Sequence, residues 1–288
     1  MSMTFGANIF LTDQTISPIE LAQELESRGF ESLWLPEHTH IPVSRRTPAP
    51  MGEPIAEEYK RCLDPLVALA MAGAVTDRLR LGTGVMLLAE REPLAIAKAT
   101  ATLDSCLGGR LRLGIGYGWN IEELEDHGGT KQSRRAVVRE RALAMQELWA
   151  EEEATFAGEH VNFAPCWSWP KPVQQSLGRV GVPLYLGGEM GPKFLDHLVE
   201  YASGWLPHGG AGVAAALPRI TEALAEAGRD PDSFVVIPFG TKPTEAKVEH
   251  FASAGISEMV VQLPSAPRDE VLGVLDELAP LVSRFSAR

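Results

Sequence analysis

The chain has 288 residues, of which 45% are hydrophobic and 22% charged, so it is long and apolar enough to bury a large core. Its formal net charge of −12 is spread along the sequence. Such a surface repels nucleic acid and anionic lipid, so neither is expected as a partner, although backbone amides and a few arginines could still bind a small anion. No apolar stretch reaches the roughly eighteen residues that a membrane-spanning helix needs.

The cysteines and the N-terminal residues indicate the cellular compartment in which the protein is expected. Cys62, Cys106 and Cys166 are odd in number and far apart, so neither a disulfide framework nor a structural zinc site is predicted. The N-terminus has no basic region followed by an apolar core, so no secretory signal is expected, and a reducing cytoplasm fits. His38 and His40 would share one side of a strand, but no further ligand accompanies them, so no metal site is predicted.

Strand-like and helix-like segments alternate along the chain. The strand-like segments are short apolar runs, typical of parallel strands covered on both faces. In the first helix-like segment Ser17 is the expected N-cap, Pro18 the first helical residue and Gly29 the residue that ends the helix. The eight strand–helix units are MTFGANIF with SPIELAQELESRG, FESLWLPE with DPLVALAMAGAVT, LRLGTGVML with PLAIAKATATLDSC, RLRLGIGYG with RRAVVRERALAMQELWAEE, VPLYLGG with PKFLDHLVEYA, GWLPHG with VAAALPRITEALAEAG, SFVVIPFG with TEAKVEHFASAG, and SEMVVQL with RDEVLGVLDELAPLV.

Eight such units predict an α/β fold, the closed (β/α)8 TIM barrel, in a single domain over residues 1–288. A doubly wound open sheet is the alternative. Two connections, at about 38–63 and 154–181, exceed ordinary loop lengths. The first leaves the second strand on the face where barrel enzymes build their sites, so it is either a lid or a simple surface loop. The second contains a predicted short hairpin around Gly158.

The carboxyl ends of barrel strands meet at one mouth, where the site is expected. A carboxylate and an imidazole at the end of the second strand predict proton transfer near neutral pH, or merely the polar start of a loop. The candidate residues are Glu37 and His38 after strand two, Thr83, Gly84 and Val85 in strand three, Gly116, Tyr117, Gly118, Trp119 and Asn120 after strand four, and Gly187 and Gly188 after strand five.

Three glycine-containing segments have alternative interpretations. LGIGYGWN spells GxGxG rather than GxGxxG, follows the fourth strand and precedes no predicted helix, so a dinucleotide-binding turn is disfavoured. Gly84 in mid-strand indicates a bulge or a flat ligand, or else packing beneath a bulky neighbour. In LYLGGEMGPKFL a helix starting near Pro192 would present the amides of Gly187 and Gly188 to a phosphate, unless the glycines only form a tight turn.

Six segments resemble the luciferase-like monooxygenase superfamily, and within it the coenzyme F420-dependent oxidoreductases of actinobacterial type. They occur in family order over roughly residues 4–210, and residues 79–120 are the most specific block. The remaining third of the chain matches only in its strand–helix rhythm. The segments are SLWLPEHTHIP, LDPLVALAMAGAVTDRLRLGTGVMLLAEREPLAIAKATATLD, GGRLRLGIGYGWNIEEL, RRAVVRERALAMQELW, WSWPKPVQ and PLYLGG.

The resemblance implies a luciferase-like barrel, usually a homodimer, that holds a flavin or deazaflavin ring across its mouth. A non-prolyl cis peptide at Gly84–Val85 would back the ring, with His38 beside the reactive ring and Glu37 as the acidic residue before it. The implied cofactor contacts are Thr83 and Val85 along the ring, Gly116 to Asn120 under the cofactor side chain, and the amides of Gly187 and Gly188 at its phosphate.

The implied activity is hydride transfer between coenzyme F420 and a small organic substrate. The reduced cofactor would deliver hydride to an unsaturated or carbonyl compound, while His38, oriented or charged by Glu37, supplies the proton. The alternatives are an FMN-dependent luciferase-like monooxygenase and a non-catalytic flavin- or deazaflavin-binding protein. The loop with Arg45, Arg46 and Tyr59 would cap the pocket.

Two positions depart from the family pattern. Cys106 and the following leucine stand where the family commonly has a serine before two glycines. In the phosphate loop Glu189 is an unfavourable charge beside a phosphodiester, and the loop contains no serine or threonine.

Overall fold

A computed structural model describes residues 3–286, and eight parallel strands form its central wall. They pair in the order β1 to β7, with β8 beside β1. The (β/α)8 prediction is confirmed and the open-sheet alternative is wrong. The strands are β1 Thr4–Asn8, β2 Ser32–Leu35, β3 Arg80–Leu87, β4 Leu111–Gly116, β5 Leu184–Gly187, β6 Gly204–Leu206, β7 Val235–Val236 and β8 Glu258–Gln262.

The barrel closes through the segment that follows β7. Val260 N donates to Pro238 O at 2.8 Å, and Thr241 N donates to Val260 O at 3.0 Å. The strand β7 itself is shorter than its sequence segment, because Pro238 has no N–H to continue a regular ladder.

Helices surround the wall. At α1 the Ser17 hydroxyl accepts from Glu20 N at 3.2 Å, and Gly29 has φ of 79°, so both predicted helix ends are confirmed. The helices of residues 3–286 are α1 Pro18–Ser27, α2 Glu57–Arg61, α3 Pro65–Gly73, α4 Pro93–Cys106, α5 Ile121–Asp126, α6 Arg134–Ala150, α7 Pro192–Tyr201, α8 Val213–Glu226, α9 Glu245–Ser253 and α10 Arg268–Phe285.

The short helix α5 begins directly after β4 and its glycine-rich end. The expectation that no helix follows LGIGYGWN is therefore wrong. The helix has only six residues, too few for hydrophobic periodicity to reveal it.

Both long connections are ordered. The first, at about 38–63, contains α2 and returns to the barrel where Leu63 N donates to Leu11 O at 2.8 Å. In the second, Ala154–Ala157 pairs antiparallel with Asn162–Cys166, which confirms the hairpin around Gly158. A further hairpin, which the sequence did not predict, pairs Gln175–Ser176 with Arg179–Val180.

The part of the barrel interior away from the mouth is filled by side chains. Trp34 packs edge-on against Tyr185 and Phe239, with ring centroids 5.8 and 5.9 Å away. Beside it the carboxylate of Glu258 accepts from Arg112 Nη1 at 2.6 Å and from Ser32 Oγ at 2.7 Å. A ligand inside the barrel would therefore lie towards the mouth rather than among these side chains. Within residues 3–286 no helix is long and apolar enough to cross a membrane.

Candidate active site

His38 lies at the end of β2 with its side chain only 5% exposed. Its Nδ1 is 2.6 Å from Oε2 of Glu123, and its Nε2 is 3.2 Å from Nε1 of Trp119. An indole N–H can only donate, so Nε2 of His38 must accept and carries no proton. The proton of the neutral ring is therefore on Nδ1, which donates to Glu123. In this state His38 presents a base at Nε2.

Glu123 is the functional residue that the sequence reasoning missed. It lies on α5, and its side chain is fully buried. Besides the imidazole, its carboxylate accepts from Thr39 N at 2.9 Å. The segment NIEEL does place a glutamate three residues after Asn120, as in a capping box, and this weak signal could have indicated the helix.

Glu37 does not orient His38, so that expectation is wrong. Its carboxylate accepts from Leu87 N at 2.7 Å and from Arg91 Nε at 2.8 Å, and Arg91 also donates to Asp64 at 2.8 Å. Successive side chains of an extended segment point to opposite sides, so Glu37 faces β3 while His38 faces α5. Glu37 instead ties the end of β2 to the end of β3.

Aromatic side chains surround the imidazole. The ring of Tyr59 is 5.4 Å from that of His38 and 4.7 Å from that of Phe10, centroid to centroid, and the ring of Trp119 is 5.6 Å from His38. Burial raises the pKa of Tyr59, so its phenol stays neutral near pH 7. Of the three residues expected to cap the pocket, Tyr59 thus reaches His38.

The two arginines of the capping loop bind carboxylates instead. Arg45 pairs with Glu53 in its own loop at 3.0 Å. Arg46 donates from its backbone N and from Nε to Glu122 on α5, at 2.9 and 2.8 Å. Although burial acts in the opposite direction, these bonds lower the pKa of Glu122 to about 2. The loop is therefore fastened to the same helix that carries Glu123.

The middle of β3 carries the expected irregularity. Its register against β4 shifts between Thr83 and Met86, and the Gly84–Val85 peptide is cis, as the resemblance implied. A Cβ on Gly84 would lie 2.4 Å from Cζ of Phe239, so packing under a bulky neighbour is also observed there. Thr83 is fully buried and donates to Gly114 O at 2.7 Å, so its hydroxyl faces the barrel wall rather than the mouth.

Val85 connects three strand ends. A Cβ at Gly116 would lie 2.7 Å from one methyl of Val85, and a Cβ at Gly187 would lie 2.7 Å from the other. The candidate glycines of β4 and β5 thus flank the Val85 side chain, which leaves the three strand ends close together at the mouth.

The loop after β5 leads into α7 as predicted, with Pro192 as the first helical residue. Among residues 3–286 no backbone acceptor pairs with the amides of Glu189, Met190 and Gly191. Gly188 is exposed, and its carbonyl accepts from Trp205 Nε1 at 2.9 Å. The Glu189 side chain is also exposed. Free amides at this helix start can bind an anion.

Two cations lie near the end of β4. Arg134 donates from Nη1 to Gly118 O at 2.6 Å, and the guanidinium of Arg135 lies 5.2 Å from the ring centre of Tyr117. In the described part of the chain neither forms an ion pair with a carboxylate. The Tyr117 hydroxyl contacts Nδ1 of His197 on α7 at 2.7 Å. Tyr117 therefore connects the end of β4 to α7.

Some buried polar atoms at the mouth lack hydrogen-bond partners. Within residues 3–286, Oε2 of Glu90 and Oδ1 of Asn120 have no hydrogen-bond partner. Burial, together with the charges of Glu123 and Glu37, raises the pKa of Glu90 to about 8. Glu90 is therefore largely protonated at neutral pH and available as a donor.

Residues 14–259 match the family model of the luciferase-like monooxygenases. The chain belongs to the luciferase-like monooxygenase family. An uncharacterized protein of Mycobacterium tuberculosis, strain H37Rv, is 37% identical over 282 residues, covering 96% of this chain and 98% of that protein. An F420-dependent glucose-6-phosphate dehydrogenase of Kineococcus radiotolerans is 29% identical over 217 residues, which are 73% of this chain and 58% of that protein.

A solved structure in the family fold is that of an F420-dependent secondary alcohol dehydrogenase. It superposes with a TM-score of 0.74 at 19% identity, covering 98% of this chain and 99% of that one. The superfamily resemblance is confirmed, and the relatives of this luciferase-like chain include F420-dependent oxidoreductases.

Proposed function

We propose that this chain is a coenzyme F420-dependent oxidoreductase that moves a hydride between the deazaflavin and a small organic substrate, with His38 as its acid–base residue. The proposal depends chiefly on one observation. At the mouth of a luciferase-like barrel, Nδ1 of His38 is held by the buried carboxylate of Glu123, while Nε2 is kept unprotonated by Trp119. A base fixed by a carboxylate in this way is suited to taking up a proton from a substrate.

The residues of the mouth fit a planar heterocycle with an anionic side chain. Val85, held between Gly116 and Gly187, would support the ring. The free amides after β5 and the unpaired Arg134 and Arg135 would bind the anionic portion. The Asn120 amide oxygen, buried without a partner, would accept from a polar edge of the cofactor.

When bound, the deazaflavin supplies a ring carbon that takes up or releases hydride. In the oxidising direction the substrate hydroxyl would displace the indole N–H of Trp119 from the lone pair on Nε2 of His38. That nitrogen then accepts the hydroxyl proton, and Glu123 stabilises the imidazolium that results. In the reducing direction the same nitrogen returns the proton to the nascent alkoxide. The Nδ1–H form of the ring is the one that can act as a base in the first direction, alcohol to carbonyl. This modifies the expectation that His38 mainly delivers a proton.

The aromatic side chains around His38 would also shield it from water. Tyr59 and Trp119 enclose the imidazole, and Phe10 packs against Tyr59. Together they would exclude water from His38. Water exclusion strengthens the His38–Glu123 bond and protects the hydride from competing protons.

Cofactor choice is tested by binding. Titration of the purified protein with F420 and separately with FMN, followed by quenching of its six tryptophans, is expected to give saturable binding of F420 at lower concentration. Tight FMN binding without a response to F420 would refute the deazaflavin proposal and favour the FMN-dependent monooxygenase. Binding of F420 without redox change in the presence of any alcohol or carbonyl compound would favour the non-catalytic binder.

The role of His38 is tested by His38→Ala. The variant is expected to bind F420 almost as tightly as the wild type and to lose about two orders of magnitude or more in turnover. Turnover equal to that of the wild type would remove His38 from the mechanism.

We also propose that the protein forms a homodimer through α1, α3 and α4. Four large apolar side chains on these helices remain 38–63% exposed. They are Ile19 on α1, Val67 and Met71 on α3, and Leu94 on α4. Val67 and Met71 are four residues apart and so share one helix face, and an apolar face of this kind is typical of an interaction surface.

A further inference from the structure

We propose that Gln262, held in place by Asn8, accepts a hydrogen bond from a second hydroxyl or N–H group of the substrate. We call these two residues the acceptor edge. The inference rests on the proposed function, because it concerns the substrate of the same mouth. It assigns a substrate class, namely alcohols that carry another hydrogen-bond donor several bonds from the reacting carbon.

The side chains of the acceptor edge point into the barrel. A Cβ on Gly6 would lie 3.0 Å from Cγ2 of Val260 and 3.2 Å from Nε1 of Trp34, so residue 6 of β1 faces the interior. Side chains alternate along a strand, so Asn8 faces the interior as well, nearer the mouth. Val260 packs in the same interior cluster as Trp34, so Gln262, two residues later on β8, has the same direction. Asn8 and Gln262 are register partners of the two neighbouring strands.

Hydrogen bonds fix the orientation of the Gln262 amide. Its Nε2 donates to Leu263 O at 3.0 Å and to Asn8 O at 3.3 Å, and its Oε1 accepts from Nδ2 of Asn8 at 2.6 Å. Backbone carbonyls can only accept, so Nε2 must face them and Oε1 must face Asn8. The amide therefore cannot turn round without setting oxygen against oxygen.

The spare bonding capacity of the acceptor edge lies on its oxygens. Both N–H groups of Gln262 are used, whereas its Oε1 has a second lone pair. Within residues 3–286, Oδ1 of Asn8 has no hydrogen-bond partner, and Asn8 is only 5% exposed. Gln262 is the exposed member, so its Oε1 is the atom that a ligand would meet. A hydroxyl or an N–H group, which can donate, matches it.

Gly240 keeps a gap open beside Gln262. A Cβ on Gly240 would lie 3.0 Å from Cε1 of His208 and 3.9 Å from Oε1 of Gln262. Any side chain at this position would narrow the gap, and the φ of 65° also favours glycine. A donor group of the substrate therefore has space between His208 and Gln262.

The acceptor edge lies across the mouth from the strands that carry the candidate glycines. Strands β3, β4 and β5 bear Gly84, Gly116 and Gly187, which leave room for a flat ring. Strands β8 and β1 close the barrel on the other side, and β2, which leads to His38, is the neighbour of β1. A substrate can therefore extend from His38 to Gln262 while the ring occupies the glycine side.

The strand order sets the spacing of the two substrate groups. One strand, β1, separates β2 from β8, and neighbouring strands lie about 4.8 Å apart, so β2 and β8 are about 10 Å apart. A donor on the carbon next to the reacting one is too close to serve both His38 and Gln262. The probe is therefore 1,6-hexanediol, with hydroxyl groups at both ends, and 1-hexanol is its counterpart of equal chain length.

The first test compares kcat/KM of the full-length protein with F420 for these two alcohols. After correction for its two equivalent hydroxyl groups, 1,6-hexanediol should be favoured about fivefold or more, as expected for one added hydrogen bond. An apolar mouth would favour 1-hexanol, which buries more apolar surface. Gln262→Met keeps the length of the side chain but removes both polar groups, and it should bring the ratio of the two kcat/KM values to about one or below.

A matched control is Gln132→Met, which makes the same change at an exposed glutamine between α5 and α6 and should leave the ratio as in the wild type. Asn8→Leu removes the N–H that holds Oε1 of Gln262, so it should lower the ratio about threefold or more, and it replaces Gln262→Met if that variant does not fold. A wild-type ratio near one, or a fivefold preference that persists in Gln262→Met, would overturn the proposal.

Binding separates this proposal from the function on which it rests. NMR of the full-length protein with ¹⁵N-labelled asparagine and glutamine side chains gives the Kd of each alcohol, and the signals of Gln262 are assigned by their loss in Gln262→Met. This measurement decides wherever neither alcohol is oxidised.

A Kd about fivefold lower for 1,6-hexanediol than for 1-hexanol, with the difference lost in Gln262→Met, supports the acceptor edge even in a protein that never reacts with F420, and that protein would refute the proposed function alone. Oxidation of both alcohols with F420 at equal kcat/KM refutes only the acceptor edge. Equal Kd values for the two alcohols, where neither is oxidised, also overturn it.

Discussion

The Glu123→Gln substitution tests the arrangement at His38 most directly. It keeps the size of the side chain but removes the charge that faces Nδ1 at 2.6 Å. A hydrogen bond to a charged group contributes about 1.5–3 kcal/mol, which corresponds to about 10- to 150-fold in rate. The glutamine amide would in addition present an N–H to Nδ1 while its oxygen still accepts from Thr39 N. That arrangement favours the Nε2–H tautomer, which cannot accept a proton and opposes the indole N–H of Trp119.

We therefore expect kcat of Glu123→Gln to fall by about 10² to 10³, with F420 affinity within about threefold of wild type. The assay is the change in deazaflavin absorbance with an accepted alcohol or carbonyl substrate. Histidine ¹⁵N shifts report the tautomer independently. Glu122→Gln is the matched control, because its carboxylate lies next along the same helix but binds the loop, so its loss should not lower kcat. A kcat within about threefold of wild type, with His38 still protonated on Nδ1, would refute the reasoning.

Three further predictions concern stability, cofactor binding and assembly. The pKa of Glu90 in the folded protein is about 8, above the value of a glutamate in the unfolded chain. The stability that Glu90 contributes is therefore full below the unfolded pKa and is lost as the pH rises through 8. Glu90→Gln cannot ionise, so its Tm, measured by calorimetry, should rise relative to that of the wild type between pH 5 and 9. Arg134→Gln and Arg135→Gln should each weaken F420 binding about three- to tenfold in low salt, by tryptophan quenching. The double change Val67→Asp with Met71→Asp should convert a dimer to a monomer in light scattering.

Each of these has a matched control. Glu277→Gln changes an exposed glutamate and should show no rise in relative Tm with pH, whereas an equal rise would remove Glu90 as the cause. Lys131→Gln removes a nearby exposed cation. If it weakens F420 binding as much as the arginine variants do, the effect is due to the overall charge of the protein and not to Arg134 and Arg135. Val43→Asp places the same charge on an exposed loop valine and should leave the assembly unchanged. A monomeric wild type would refute the dimer outright.

The overall architecture could be predicted because it depends on local patterns. Short apolar runs, helix caps such as Ser17 and the spacing of eight units identify a barrel without any knowledge of long-range contacts. The cis peptide at Gly84–Val85 was predictable only through the family resemblance, because a mid-strand glycine by itself has several explanations. Its packing under Phe239 involves a residue 155 positions later, which no local pattern reveals.

The site was predicted less well because its pairings are made across the fold. The sequence pointed to His38, but its partner Glu123 is 85 residues away on a helix too short to recognise. The adjacent Glu37 was chosen because it is the neighbour in sequence, although alternation along an extended segment sends it to the other side. In the sequence Arg134 and Arg135 resemble ordinary surface charges of a helix. What distinguishes them is that neither forms an ion pair within residues 3–286.

The contacts between the loop of residues 38–63 and α5 have a consequence for how molecules enter and leave the site. If the loop of residues 38–63 moves when a ligand enters or leaves, that movement loosens the contacts that Arg46 makes with Glu122. The Arg46 side chain is 73% exposed. Ions in the medium weaken such an exposed pair. We therefore expect added potassium chloride to speed product release. If product release limits turnover, kcat will rise with the salt concentration although the rate of the chemical step is unchanged.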